Sequence, residues 1–168
     1  MWRRSLLLSA YVWPALAQTP PGVVAHLERG HALRRLDEFR AAIAQYDAAL
    51  RLSPGHPGAL AHRGVTFHRL GEDAQARADV AAAVAAAGPR EGWPHAARAG
   101  LLLLAGDLPR ATADLAQSQR REPDAPVTLT LGVILLVRQG GSVPTTAPPG
   151  LEEVRLIFGP WLVMGFPL

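Results

Sequence analysis

The sequence predicts an all-α protein: three stacked helix pairs followed by a degenerate fourth helix. Three observations carry this. A unit of about 34 residues is written three times between Val23 and Asp124, with 34 residues from Gly30 to Gly64 and 35 from Gly64 to Ala99. Within each unit the apolar residues recur at helical spacing, as in Ile43, Tyr46, Ala49 and Leu50. Each unit closes on a proline (Pro54, Pro89, Pro123), where a helix cannot continue.

The units align as His26–Pro54, Leu60–Pro89 and His95–Pro123. Each carries a small residue (Gly30, Gly64, Ala99) and, three later, a large apolar one (Leu33, Phe67, Leu102). An alanine follows twelve after the small residue (Ala42, Ala76, Ala111), and a core residue four beyond that (Tyr46, Val80, Leu115). Another small residue comes three later (Ala49, Ala83, Ser118). Small residues at repeated places let two helices approach closely, because little side chain stands at the crossing. The additional residue of the longer spacing falls in the loop Gly88–Gly92.

In order, the first pair is expected over about Val23–Leu36 and Glu38–Leu52, and a turn-forming run from Ser53 to Gly58 follows. The second pair covers about Gly58–Leu70 and Asp73–Ala87, with Gly71 as the break. The third covers about Trp93–Ala105 and Leu108–Arg121, turning at Gly106 and Asp107. Pro109 is tolerated there because it falls in a first helical turn. Val127–Arg138 fits one more first helix, and no Ala-rich second helix follows.

The pattern resembles the tetratricopeptide repeat, whose signature is a small residue in the first helix, an alanine and a core aromatic in the second, and a terminal proline. The resemblance covers roughly 100 residues, and the signature Trp and Tyr of the first helix are missing; His26, Leu60 and His95 stand at the Trp place. It implies a right-handed α-α superhelix of three such pairs plus the degenerate fourth helix. The array spans 23–139, with repeats at about 23–56, 57–90 and 92–125 and a partial unit at 126–139.

An arginine precedes each small residue (Arg29, Arg63, Arg98), and sixteen residues on stand Gln45, Asp79 and Asp114. Arg63–Asp79 and Arg98–Asp114 read as structural ion pairs at a partly buried seam rather than as a ladder for an anionic ligand, which would not need the matching acids. In the family the first helices line a concave face. On that face Leu27, His31 and Arg34 share one stripe, Ala61, Val65 and His68 the next, and Ala96, Gly100 and Leu103 the third. The groove is then basic at one half (His31, Arg34, Arg35, His68, Arg69) and apolar at the other, towards Val65 and Leu103. A peptide with an acidic end and an apolar end suits it. The Lys and Asn places with which chaperone-binding members hold a C-terminal carboxylate are here Leu27, His31 and Val65, so that activity is not implied.

There is no lysine, and all 17 basic residues are arginine. Residues 1–17 have the pattern of a secretory signal peptide: a cationic start at Arg3 and Arg4, a short apolar run, and Ala15-Leu16-Ala17 before the cut. Residues 18–22 form a loose mature start, and a periplasmic or secreted location is expected. Loss of the leader leaves 15 arginines against 14 acids, too balanced for a nucleic-acid binder. No cysteine is present, so disulfides, thiol chemistry and a lipoprotein anchor are excluded. The histidines His26 and His31, or His62 and His68, do not share a three- or four-residue step, so no metal site is expected. No nucleophile–base pair or phosphate loop is recognisable, and no cofactor or enzyme activity is expected.

Residues 140–168 read as an irregular apolar tail, with a short helix available over Leu151–Phe158. Three readings stay open for it: a segment folding back on the last repeat, a self-association surface within 151–168, or a frameshifted or truncated terminus, since alanine is lost abruptly after Gln139. The expected function is a protein–protein interaction scaffold in a bacterial cell envelope, without a stable membrane span. The alternatives are a fragment of a longer array that pairs through its C-terminal edge, and a metal-dependent enzyme, against which the histidine spacing speaks.

Overall fold

The computed structural model describes residues 20–142 and 145–163. Among them eight helices succeed one another: α1 (Pro21–Arg35), α2 (Phe39–Leu52), α3 (Pro57–Arg69), α4 (Asp73–Ala86), α5 (Trp93–Ala105), α6 (Leu108–Arg121), α7 (Pro126–Arg138) and α8 (Leu151–Phe158). A 3-10 turn, Pro160–Leu162, ends the described chain. The expected leader at 1–17, and the final apolar residues with Phe166, lie outside the described residues.

The helices pack in pairs, α1 with α2, α3 with α4 and α5 with α6, and the pairs stack in sequence. The α3–α5 and α5–α7 contacts bring α3, α5 and α7 together as one layer. At the crossings the small residues do what their spacing implies. Gly30 lies under the Tyr46 ring, and a Cβ on Gly64 would stand 2.6 Å from Val80 Cγ2. Ten of the fully buried apolar residues are alanines between Ala42 and Ala111, so the stack is built on close approach rather than bulk.

One turn is repeated inside the three pairs. Asp37, Gly71 and Gly106, spaced 34 and 35 apart, all have left-handed backbone, with φ of 59°, 79° and 79°. The N–H groups of Glu38, Glu72 and Asp107 donate back to the carbonyls of Leu33, Phe67 and Leu102 at 3.0, 2.9 and 2.9 Å. This closes the end of each first helix. Aspartate is among the few side chains that tolerate the left-handed region, which lets Asp37 stand where the other units use glycine.

Helix α7 packs on α6 and α5, and a buried hydrogen bond joins Ser118 Oγ and Thr128 Oγ1 at 2.8 Å. Among the described residues no second helix follows it directly, as one does in the three pairs. The chain loops back instead, with Thr130 Oγ1 donating to the Pro149 carbonyl, and α8 lies against α3 and α7. Its residues Leu151, Val154, Ile157 and Phe158 join the main core together with Val65, Leu103 and Leu131. Within the tail, Leu151–Leu162 is therefore a helix and a turn that fold back on the earlier helices. The apolar period of Leu151, Val154 and Phe158 needed a face to cover, and the layer of α3, α5 and α7 supplies it.

Candidate interaction groove and its occupant

Helix α8 occupies the face that the resemblance assigns to a partner. Its apolar end seats in the third unit: the Phe158 ring lies directly over Gly100, where any side chain on α5 would collide with it. Phe158 is only 2% exposed. The last turn of α8 has free carbonyls, and Arg69 Nη1 donates to the Leu156 carbonyl at 2.6 Å. A cation at that end also complements the helix dipole. The Arg69 guanidinium is steadied from behind, 4.6 Å above the Phe39 ring, with Asp37 at 3.3 Å.

The acidic end of α8 meets the basic half of the face. Glu152 and Glu153 stand in its first turn, where the helix dipole favours them. With Leu156 and Ile157 they line a cavity of about 310 Å³ whose other wall is His31, Arg34, Arg35 and His62. Burial lowers the Arg34 pKa, with Tyr46 and Glu153 opposing it. Beside this cavity runs a row of rings that crosses the units. His31 meets Tyr46 at 6.0 Å and His62 edge-on at 4.1 Å, and His62 stacks on Trp93 at 4.8 Å.

Both histidines are uncharged at neutral pH. Burial, then Arg34 and Arg35, lower the His31 pKa to about 4; burial, then His31 and Arg34, push His62 well below 6.5. The unfolded chain binds protons at about 6.5. Stability from these rings is therefore present above pH 6.5 and lost as pH falls towards 4, because only the unfolded state takes up the proton. For His31 the loss is about 2 kcal/mol once solvent screening is allowed for. Glu152 and Glu153 line the same cavity. Thermal melts from pH 7.5 to 4.5 are expected to show this slope, and His31→Gln to flatten it.

The seam between first and second helices is a set of ion pairs. Arg63 grips Asp79 with two bonds, Nε to Oδ2 at 2.6 Å and Nη2 to Oδ1 at 2.7 Å. Its Nη1 donates to Asp47 of the preceding unit at 2.6 Å, so one guanidinium ties two repeats. Arg98 grips Asp114 in the same way, at 2.7 and 2.6 Å. The histidines at the Trp place join this seam: His26 bonds Gln45 at 2.8 Å, and His95 reaches Asp114 at 3.4 Å.

The structure thus divides the eight groove residues. His31, Arg34 and Arg35 gather at the cavity, and Arg69 holds the end of α8. Val65 and Leu103 are sealed into the core that α8 covers. Leu27 belongs to a separate small cluster with Val23, Ala49 and Ala59. His68 turns away to Asp73, at 2.8 Å, and borders a different cleft with Arg77, Leu101 and Arg110. Sequence reasoning missed His62, Tyr46 and Trp93, which meet only when three units stack. It also left Gly100 as a plain groove position, although its missing side chain signalled a close approach.

Among the described residues no three His, Asp or Glu side chains cluster as metal ligands would, and no helix is long and apolar enough to cross a membrane. No family model matches the chain, and no curated protein matches it.

Proposed function

We propose that this protein is a non-catalytic interaction scaffold of the tetratricopeptide type, exported to the bacterial cell envelope, whose inner face receives an amphipathic helix. The observation that carries it is α8 itself. Its acids share one cavity with Arg34 and Arg35, and its Phe158 lies in the Gly100 seat. That is the acidic-to-apolar segment the face is suited to, and the chain itself supplies it. A partner helix of the same pattern takes that place when α8 leaves. The leader pattern at 1–17 supports export.

The test uses a chain ending at Ser142 and a labelled peptide of residues 148–163. Saturable binding is expected, with a peptide carrying Phe158→Ala at least about tenfold weaker. A truncated chain that keeps its helical spectrum yet binds no peptide would sink the reading. A second reading rests on α7, whose Leu136 is 62% exposed at the edge where a further helix would pack. Pairing of two chains there is expected to vanish in Leu136→Glu, as read by sedimentation equilibrium.

A further inference from the structure

We propose that the cavity beneath α8 is a binding site for a small monocarboxylate, held by the Arg34 guanidinium with its aliphatic body against Leu156 and Ile157. The site stands apart from the groove's affinity for a helix, because α8 remains docked as its roof.

Arg34 is 7% exposed, and its Nε and Nη1 are enclosed without a hydrogen-bond partner. A buried cation left in that state is costly, and the missing partner is an anion. Two more enclosed polar atoms, His31 Nε2 and His62 Nδ1, are also unpartnered, and both rings line the same cavity. Neutral imidazoles add no charge to the cavity wall, which leaves the cation of Arg34 to dominate it. Nη2, the guanidinium nitrogen that is not enclosed, is the one that reaches an anion in the cavity, as a charge-assisted donor.

The charge around the cavity selects a monoanion. Glu152 is held by Arg155 at 2.6 Å. Among the described residues Arg34, Arg35 and Glu153 make no ion pair, which leaves one positive charge unmatched. A dianion such as phosphate is repelled by Glu153 once that charge is met. The volume, about 310 Å³, lies at the small end of ligand pockets. The Leu156 and Ile157 wall favours a short aliphatic body over a polar one.

The experiment is calorimetric titration of the full chain with sodium butyrate at pH 7, at constant ionic strength against chloride, with inorganic phosphate in a parallel arm. One saturable butyrate site is expected, with phosphate weaker. Arg34→Met is expected to weaken butyrate by about 10- to 100-fold, the worth of a charge-assisted hydrogen bond. Its melting temperature should not fall, because an unpaired buried cation is removed. Arg34→Lys, which keeps the charge and displaces the donor, serves as the second variant and should weaken butyrate several-fold. Glu153→Gln should tighten it. No saturable butyrate site, phosphate binding equally well, or Arg34→Met binding like the parent overturns the proposal. So does a Glu153→Gln chain that melts lower and is indifferent to butyrate, since Glu153 is then the partner of Arg34.

Discussion

Phe158→Ala is expected to undock the C-terminal helix, at a cost of about 3–5 kcal/mol, the usual range for emptying a buried aromatic site. The upper part of that range applies because the seat is a glycine. Gly100 has no side chain to relax into the space the ring leaves. Eight residues do not make a stable helix alone, so α8 depends on its contacts. Its own docking energy then limits the loss: once α8 leaves, the stacked pairs remain. Amide exchange is the discriminating measurement. Protection at Val154–Phe158 should collapse while α3 and α5 stay protected. Gly100→Leu should produce the same pattern from the opposite side, by filling the seat. Unchanged exchange in both variants would mean that Phe158 does not anchor the helix.

Arg98→Met is expected to destabilise the third pair by about 3 kcal/mol, the low end of the range for stranding one partner of a buried ion pair. Asp114 is the reason: it is 4% exposed, and Arg98 provides its two short hydrogen bonds. His95 does not replace them, being 3.4 Å away with its pKa lowered by burial despite Asp114. The low end applies because Arg98 itself is 38% exposed, so part of the space it vacates admits water. Adding Asp114→Leu should restore most of the loss, since the stranded charge, not the missing bridge, is what costs. Urea melts of the single and double variants decide it. Equal destabilisation in both would assign the effect to lost packing.

The helix pairs were legible in the sequence because their determinants are local and repeated. Gly30 and Gly64 announce the crossings, and Gly71 and Gly106 announce the turns. Where the code changes letter the signal fades: Asp37 makes the same left-handed turn without looking like it. The ion pairs were legible for the same reason, as a sixteen-residue interval written twice. The groove was legible only in part. The basic residues at its cavity, His31, Arg34 and Arg35, are on α1, but their companions come from elsewhere. His62 is 31 residues beyond His31, and Glu153 is more than 100 beyond Arg34, so no periodicity within a unit links them. The destination of α8 was hidden for the same reason. Its apolar stripe says that it is buried, and only the empty place at Gly100 says where.

The clasp between Arg69 and the Leu156 carbonyl spans 87 residues of chain. Arrays of hairpins ordinarily zip from neighbour to neighbour, fray from their ends, and fold quickly because their contacts are close in sequence. Here α8 returns to the middle of the stack and closes a long loop, an entropic toll that rises only slowly with its length. Folding should accordingly show two kinetic phases, rapid assembly of the pairs and a later closing step. Once closed, the second, third and fourth units melt together rather than one at a time.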